Sequence, residues 1–557
     1  MFTASILPKS GKPSTRLELA YPGGALRGWP LLLIALTSFL VVVPFFFLGI
    51  PSGHDFEFHL NSWMDVVGQW RQGIIYPRWA ALAHYGYGEA RFIFYPPASW
   101  LLGAVLGVLL PWKVVPGVFI WLVLTLSGCS MFALARRQLT RRDAVFAAVA
   151  YAANPYYIVI VYWRSAYAEL LAGALVPLLF LCILEIQQAD KKAILRLSLV
   201  IGAADLTNVP AFIMVSYSLA LLTVIFAIQR RSPKVLLHVV VAVLIGAGLS
   251  AFYLFPAFYE QKWINIAQVL SPGVRPQDNF LFTTIADPDH NRFNRLISLI
   301  ASSQLIVLIV PAFVAWRRKE RPPQRMLVIW AVAASFLMFS LSSPFWSHLP
   351  VLKFVQLPWR WLLCINVALV LLISISRKSW PFRAAAFLLM FGVVGYASVR
   401  IQPPWWDHSR DIATLLTAHK TGAGYEGVDE YVPAGADAYN TKPDAPPASL
   451  NSGAQPAVRV KEWGAEEKSF VVDTSHADVL LLKVFNYPAW HAEINGRKIR
   501  TETQEDTGQM MIPVQAGENK VQITFVHTWD RIGGAILSSI TVLGLLLWSF
   551  ADRAHAT

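Results

Sequence analysis

Polar residues that could perform acid and base chemistry crowd into one short stretch, GHDFEFHL, just after the first long apolar segment of the chain. Asp55 lies where a carboxylate can face water at a membrane edge, and Glu57 follows two residues later. Such a carboxylate could act as a general base toward a hydroxyl group or help to hold a divalent cation. We predict Asp55 as the residue that carries this chemistry. A solvated interfacial acid is the competing interpretation.

Histidines accompany these acids. His59 falls one turn after Asp55, on the same face if the stretch is helical, and His54 directly precedes Asp55. With His84 they could suggest zinc, but the five-residue spacing of His54 and His59 is not one helical face and matches no zinc pattern. We therefore keep His54 and His59 as site candidates, together with Tyr95 near the end of the same segment.

Further ionisable residues lie at or near the ends of apolar segments. Arg164 and Glu169 occur in YWRSAYAEL, Asp205 in ADLTNVP, and Arg360 in LPWRWL. Charges in such positions are costly and are usually paired or functional. The guanidinium of Arg360 offers a fork of donors to a phosphate, which Lys353 could reinforce, although an interfacial anchor is the alternative for Arg360.

The elements that must position these residues are membrane helices. The chain has 557 residues, of which 55% are hydrophobic and 15% charged, with a mean hydropathy of +0.47. Apolar segments close to the roughly 20 residues needed to cross a bilayer recur along it. We predict an α-helical polytopic membrane protein with about 12–14 transmembrane helices, with spans near 30–50, 97–111, 114–135, 144–162, 169–187, 195–209, 210–228, 235–256, 296–315, 326–342, 359–376, 384–400 and 531–550.

Charge distribution indicates the topology. The net charge is +13, but the basic residues cluster in short loops such as 136–142, 191–196 and 230–234. This is typical of cytoplasmic loops and argues against a nucleic-acid partner. The tail 1–28 is predicted to be cytoplasmic. A cytoplasmic loop at 136–142 then requires that one of the segments 97–111 and 114–135 is re-entrant or interfacial, unless this loop breaks the rule.

The chain divides into a transmembrane domain, 29–400, an extracytoplasmic linker and β-rich domain, 401–530, and a final helix, 531–551. Within the first, 51–96 is the first extracytoplasmic loop, with the predicted active site, and 259–295 the second. Val432–Pro456 is composed like a linker. Seven short β-patterned runs follow and predict a small β-sandwich, with a type I′ hairpin at Asn495-Gly496: Ala457–Trp463, Ser469–Asp473, Val479–Phe485, Trp490–Ile494, Arg497–Thr501, Met510–Val514 and Lys520–Val526.

Several motifs together resemble a known family. GHDFEFHL, YPRW and GYGEARFIFYPP, then YWRSAYAE, LPWRW, DEYVP and FNYPAWHAEINGRKI, are similar to bacterial membrane proteins described as pyruvoyl-tetrahydropterin-synthase-related and of the YfhO type. These families look like members of the GT-C superfamily of membrane glycosyltransferases. The resemblance implies a GT-C-like fold, a polyprenyl-phosphate sugar donor, and a glycan, lipid or protein acceptor in the cell envelope. It also implies a multi-pass protein of the bacterial cytoplasmic membrane whose site faces the extracytoplasmic side.

In that superfamily an acidic residue of the first extracytoplasmic loop is catalytic. By motif the resemblance places this role on Asp55, with Glu57 as the nearest alternative. The triplet Asp55-Phe56-Glu57 departs from a strict DxD, so a need for Mg²⁺ or Mn²⁺ stays open, and no other cofactor is implied. A lipid-linked donor needs basic residues that bind its phosphate. We name Arg360, Arg164 and Lys353 for this role. No Gly-rich phosphate loop follows a predicted strand, which favours a lipid-linked donor.

Two other functions remain as alternatives. In a lipid or glycan transporter or flippase, the same charged residues would line a translocation path. Such a protein is expected to have paired broken helices in two related halves, and the sequence shows no internal repeat. A non-catalytic assembly protein would bind an envelope glycan through the β-rich domain.

Overall fold

Helices of membrane-spanning length form the first part of the molecule. The computed structural model describes residues 28–186, 191–317, 322–376, 379–453 and 456–554. Within them, nine helices are long and apolar enough to cross a membrane. The predicted cytoplasmic tail lies outside the described residues except for Gly28. The nine helices are Trp29–Leu48, Trp112–Ala135, Arg141–Arg164, Tyr167–Glu185, Val209–Arg230, Pro288–Arg317, Pro358–Ile375, Trp380–Ile401 and Trp529–Trp548.

Two further apolar stretches are bent. Lys234–Leu249 meets Ala251–Trp263 at 78°, and Pro323–Phe336 meets Ser340–His348 at 93°. Counting each pair as one span gives up to 11 spans among the described residues. The predicted polytopic helical architecture is confirmed, and each bent pair falls on one predicted span. The two predicted spans that are not among these 11 are 97–111 and 195–209.

Two helices at predicted spans are short. Pro97–Leu109 has 13 residues and Lys191–Asp205 has 15. At about 1.5 Å per residue they reach roughly 20 and 22 Å, less than a hydrocarbon core of about 30 Å. Pro97–Leu109 is therefore the helix that best fits the re-entrant or interfacial segment required by the charge pattern.

The first loop contains one long helix. This helix is Phe56–Arg71, which we call the loop helix; a turn with positive φ at His84 and Tyr85, Ala83–Gly86, and a short helix, Arg91–Phe94, follow. Arg91 Nε donates to the buried Glu89 carboxylate at 2.5 Å, and Glu89 also accepts the backbone N–H of Val428 at 2.8 Å. The first loop is thereby tied to the chain that leaves the membrane domain.

The second loop consists of short 3₁₀ turns. These are Gln261–Trp263, Ile266–Leu270 and Pro276–Asp278. Asn265 N donates to Val432 O at 3.0 Å, and Ile264 forms a bridge with Pro433. The predicted linker Val432–Pro456 is therefore partly ordered by pairing, since its backbone finds partners in the second loop.

Two antiparallel sheets form the C-terminal domain and confirm the predicted sandwich-like architecture. Asn495 and Gly496 have φ of 50° and 76°, as a type I′ hairpin requires. The four-stranded sheet has the order Ala448–Leu450, Asp478–Phe485, Gln509–Val514, Glu502–Thr503, and the five-stranded sheet the order Ala457–Trp463, Glu467–Thr474, Gly517–Phe525, Trp490–Ile494, Arg497–Ile499.

A buried ion pair fixes this β-domain to the membrane helices. Arg531, in the helix Trp529–Ala554, donates to Glu260 from Nε at 2.7 Å and from Nη2 at 2.8 Å. The hydroxyl of Tyr487, in the β-domain, donates to the same carboxylate at 2.6 Å. Because a buried charge without its partner is strongly unfavourable, this triad holds the β-domain over the loops.

One more helix packs against the first loop. Ser409–Thr421, which we call the cover helix, packs on the loop helix. His419 Nε2 lies 3.1 Å from Asn61 Oδ1, and the Tyr425 hydroxyl donates to Asp65 Oδ2 at 3.0 Å. The strands Ile50–Pro51 and Trp406–Asp407 pair beside it.

Candidate active site

The buried carboxylate of Glu169 is the centre of a charged cluster. Arg164 Nη1 donates to Glu169 Oε2 at 2.5 Å, and Arg360 Nε donates to the same oxygen at 3.1 Å. The Tyr156 hydroxyl donates to Oε1. The exposed fractions of Glu169, Arg164 and Arg360 are only 1%, 3% and 8%. One carboxylate faces two guanidiniums, so the cluster carries one positive charge in excess.

An irregular turn brings Arg164 and Glu169 together. The helix containing Arg164 ends in a π-helical turn, Ile160–Arg164, and Ser165 follows with φ of 50°. The next helix, Tyr167–Gly173, then carries Glu169 back toward Arg164. π-Helical turns and left-handed non-glycine residues are both enriched at functional sites.

Arg360 is positioned by a separate pair of 3₁₀ turns, Leu352–Val355 and Pro358–Trp361. Its Nη1 donates to Val355 O at 2.7 Å and to Gln356 Oε1 at 2.9 Å. Within the described residues, Arg360 Nη2 and Arg164 Nη2 donate no hydrogen bond to protein. Each guanidinium is thus oriented by protein and retains donors for an anionic ligand.

Asp55 lies directly beside this cluster. Its backbone N–H donates to Arg164 O at 2.9 Å, and its carboxylate is within electrostatic range of Arg164 and Arg360. Asp55 is the N-cap residue of the loop helix, but its side chain makes no capping hydrogen bond and accepts none from the described residues. The oxygens of this half-buried carboxylate are therefore available as hydrogen-bond acceptors for a ligand.

Gly53 permits the close approach of the first loop to the π-helical turn. A Cβ at Gly53 would lie 2.6 Å from the backbone carbon and oxygen of Trp163 and 2.7 Å from the backbone carbon of Arg164. Gly53 N donates to Ser165 Oγ at 3.0 Å, and Ser165 Oγ donates to Pro51 O at 3.0 Å. A larger residue would push Asp55 away from Arg164.

His59 has a positioning role in the loop helix. Its Nε2 accepts the backbone N–H of Tyr167 at 3.2 Å, and its ring stacks on the Tyr167 ring at 5.1 Å. Burial lowers the pKa of His59 to about 4, so the ring is neutral at pH 7. Burial, and then the Asp55 charge, raise the pKa of the Tyr95 hydroxyl, which also stays neutral.

The other two candidates of the GHDFEFHL stretch, Glu57 and His54, are exposed. Glu57 is in the exposed first turn of the loop helix, where partial burial, then Asp407 and Glu426, raise its pKa. The His54 ring lies 5.3 Å from the Phe293 ring and 5.4 Å from the Trp405 ring.

Lys353 and Asp205 make no hydrogen bond to the cluster among the described residues. Lys353 is exposed and its ammonium lies 5.5 Å from the ring centre of Phe354. Asp205 accepts a 2.5 Å hydrogen bond from Ser250 Oγ, at the 78° bend. Whether either one contacts a substrate stays a prediction.

Sequence reasoning did not identify Tyr156 and Gln356. Tyr156 belongs to the apolar stretch NPYYIVIVYW, in which nothing distinguishes it from a core tyrosine. Gln356 acts through a left-handed backbone, φ 64°, which its residue type does not indicate. Both are recognised only through their contacts with the charged cluster.

The His, Cys, Asp and Glu side chains that the structure describes do not form a metal site. No group of three or more His, Cys, Asp or Glu side chains within the described ranges is arranged to hold a metal ion. His84 is 2.9 Å from Glu89, apart from His54 and His59. Asp55 and Glu57 do not form a complete protein ligand set, so we assign no step to Mg²⁺ or Mn²⁺.

Solved membrane-protein structures show some similarity to this chain. ArnT from Cupriavidus metallidurans, bound to undecaprenyl phosphate, is 15% identical with a TM-score of 0.37, over 72% of this chain and 75% of ArnT. The oligosaccharyltransferase of Archaeoglobus fulgidus is 14% identical with a TM-score of 0.39, over 72% and 56%. The mycobacterial arabinofuranosyltransferase AftD is 15% identical with a TM-score of 0.44, over 70% and 30%. A search of curated proteins gave no significant match.

One family model covers more than half of the chain. It describes a 6-pyruvoyl-tetrahydropterin synthase related domain of membrane proteins and matches residues 92–403. The matched range contains Arg164, Glu169 and Arg360 and begins after Asp55. The family expected from the sequence motifs is thereby confirmed: the chain belongs to the 6-pyruvoyl-tetrahydropterin synthase related family of membrane proteins.

Proposed function

We propose that this protein is a membrane glycosyltransferase that transfers a sugar from a polyprenyl-phosphate donor to a glycan, lipid or protein acceptor of the cell envelope. The observation that carries the proposal is the unpaired Asp55 carboxylate beside the Arg164–Glu169–Arg360 cluster. It combines a proton acceptor with an anion-binding group in one place. We assign the site to the extracytoplasmic face of the bacterial cytoplasmic membrane, opposite the basic loops.

In the proposed reaction an acceptor hydroxyl oxygen attacks the anomeric carbon of the donor sugar. Asp55 takes the hydroxyl proton as the new C–O bond forms. The bond between the anomeric carbon and the phosphate oxygen breaks, and the polyprenyl phosphate leaves with the electron pair. Arg164 and Arg360 stabilise the charge that develops on the leaving phosphate.

The position of the cluster supports a lipid-linked donor. Arg164 is the last residue of the apolar helix Arg141–Arg164, and Arg360 is near the start of Pro358–Ile375. A phosphate held by both guanidiniums is therefore at the boundary between loop and helices, and an attached polyprenyl chain can remain in hydrocarbon. Both guanidiniums donate to the same oxygen of Glu169, which leaves other N–H donors of each guanidinium for the phosphate.

The test uses the purified full-length protein in lipid vesicles with a panel of radiolabelled polyprenyl-phosphate sugars and envelope acceptors. We expect the wild type to transfer or release sugar from at least one donor. Asp55→Asn should lose this activity, whereas Glu57→Gln should retain most of it. The two variants remove one negative charge each from the same loop, so they are matched.

Three outcomes would change the proposal. Loss in Glu57→Gln but not in Asp55→Asn would move the general base to Glu57. Turnover of no donor, combined with movement of labelled lipid across the vesicle bilayer, would indicate a flippase. Binding of envelope glycan without either activity would indicate the non-catalytic assembly protein.

A further inference from the structure

A second site lies on the far side of the loop helix. An open cavity of about 700 Å³ lies between the C-terminal half of the loop helix, the cover helix and the β-domain. This volume is within the range of about 300–1,000 Å³ found for small-molecule sites. None of Asp55, Arg164, Glu169 and Arg360 lines it. Asp65, which does, is about 15 Å along the helix from Asp55 at 1.5 Å per residue.

The cavity contains a buried ammonium group without a carboxylate partner. Lys468 is 3% exposed, and its Nζ lies over the rings of Trp463 and Trp490 at 5.3 and 4.9 Å. Its described hydrogen bond is to Gly464 O at 2.8 Å, and it forms no salt bridge with the residues that the structure describes. An ammonium has three N–H donors, and a buried charge is unfavourable unless it is paired. Lys468 therefore has the features of an anion-binding group.

Gln69, which lines the same cavity, has a buried acceptor without a donor. Gln69 Nε2 donates to Asp65 Oδ1 at 3.0 Å and to Trp79 O at 2.8 Å, which fixes the orientation of the amide. Gln69 Oε1 is buried and has no hydrogen-bond partner. Unsatisfied buried groups are rare and costly, so a ligand hydroxyl is the natural donor for this oxygen.

The remaining lining residues indicate the class of ligand. Basic side chains outnumber acidic ones, since Arg71, Lys420 and Lys483 line the cavity with Lys468, against Asp65. Trp112, Trp463 and Tyr85 provide aromatic rings. Their negative faces attract the C–H groups of a sugar ring, while the amide and carboxylate bind hydroxyls. Cations, rings and amide together suit an acidic sugar better than a simple anion.

We propose that this cavity binds an acidic saccharide, whose anionic group pairs with the Lys468 ammonium and whose hydroxyl donates to Gln69 Oε1. The segment at Gly464 that forms the wall is held to the loop helix, because Ala465 N donates to Gln72 Oε1 at 2.9 Å. If the proposed transferase function holds, the ligand is the distal part of an acidic acceptor whose reacting end extends to Asp55. The binding claim itself does not depend on transfer.

Equilibrium binding to the full-length protein tests this claim without donor or turnover. The probes are fluorescent oligosaccharides that carry carboxylate or phosphate groups, each beside its neutral parent, and vesicles of phosphatidylglycerol as a competitor. We expect at least one acidic probe to bind at least tenfold more tightly than its neutral parent. Lys468→Met should remove this preference, while Lys461→Met, an exposed position of the neighbouring strand, should retain it.

A second variant keeps the test decisive if Lys468→Met does not fold. Gly68 lines the cavity on the loop helix and has no atom within 4 Å of a Cβ position. Gly68→Phe should therefore fill the cavity and weaken the acidic probe at least tenfold, without touching Lys468. Equal binding of acidic and neutral probes, or unchanged binding in both variants, would overturn the proposal. Displacement by phosphatidylglycerol vesicles but not by unlabelled acidic saccharide would assign the cavity to a lipid headgroup instead.

The same assay separates this claim from the proposed function. Asp55→Asn should bind the acidic probe like the wild type, because Asp55 does not line the cavity. Transfer activity without acidic-saccharide binding would disprove the cavity assignment alone. Binding in the absence of any transfer would leave the cavity assignment intact and remove the transferase.

Discussion

The backbone N–H of Asp55 donates a 2.9 Å hydrogen bond to the carbonyl oxygen of Arg164. This bond joins the start of the loop helix to the π-helical turn that orients the Arg164 guanidinium. The proposed proton acceptor and the proposed phosphate-binding arginine are thus joined through the backbone. Changes that separate the two residues should affect activity even when both side chains are retained.

Gly53→Ala tests this relationship. The new Cβ would lie 2.6 Å from the backbone of Trp163, so the first loop must move and the Asp55–Arg164 hydrogen bond must lengthen. We expect transfer to fall at least tenfold, measured with the donor that the wild type uses. Gly395→Ala, whose Cβ would have no atom within 4 Å, is the control and should retain activity. Equal activity of both variants would contradict the argument.

Glu169→Gln tests the charge balance of the cluster. The amide can still accept a hydrogen bond, but the two buried guanidiniums then have no carboxylate between them. Breaking a buried ion pair in this way costs about 3–5 kcal/mol, so we expect a clear fall in the unfolding temperature of the purified protein. Glu518→Gln removes one side of the exposed Arg459–Glu518 pair and should leave that temperature unchanged. If the unfolding temperature of Glu169→Gln equals that of the wild type, the cluster is not a stabilising ion pair.

Arg360→Lys tests whether the Arg360 guanidinium binds the donor phosphate. Lysine keeps the charge but cannot reproduce the bonds from Nε to Glu169 and from Nη1 to Val355 O and Gln356 Oε1. We expect donor affinity to fall by about tenfold or more, a loss of roughly 1.4 kcal/mol. Lys353→Met should have a smaller effect, because Lys353 is exposed and outside the cluster. An equal effect of both variants would add Lys353 to the residues that bind the donor phosphate.

The pH dependence of binding tests the second cavity. Burial lowers the pKa of Lys468 to about 7 and raises that of Asp65 to about 6. A fall from pH 8 to pH 6 therefore protonates the Lys468 amine to the charged ammonium and begins to neutralise the Asp65 carboxylate, and both changes favour an anion. His419, with a pKa lowered to about 4, stays neutral, and the other charged residues of the cavity are Arg71, Lys420 and Lys483.

We expect the affinity for an acidic saccharide to rise about tenfold from pH 8 to pH 6, because the charged fraction of a group with a pKa near 7 rises by that factor. The affinity of the neutral parent should stay nearly constant. Lys468→Met should flatten most of the dependence. Tighter binding at pH 8 than at pH 6 would contradict the assignment of Lys468.

Local signals account for what the sequence predicted well. The strands Ala457–Trp463 and Trp490–Ile494 have the predicted bounds, because alternation and the Asn495-Gly496 turn determine them locally. The polar residues Arg164, Glu169 and Arg360 were recognisable as charges at the ends of apolar segments. Their assembly around Glu169 was not, since it depends on the π-helical turn and on the left-handed backbone of Ser165.

Bends and buried cavities left no comparable signal. The segment 235–256 appeared as a single span, whereas the structure bends it by 78° where Ser250 contacts Asp205. The cavity near Lys468 joins the loop helix to a β-domain some 400 positions later in the chain. Neither hydropathy nor spacing can indicate which distant surfaces meet.

The central claim is that Asp55 performs chemistry while Arg164 and Arg360 hold the donor. The most direct test measures donor binding and sugar transfer side by side in Asp55→Asn. We expect donor affinity within about threefold of the wild type and transfer reduced by about 10²–10⁴-fold, the contribution typical of a general base. Transfer at the wild-type rate, or a loss of donor binding that alone accounts for the lost transfer, would contradict the claim.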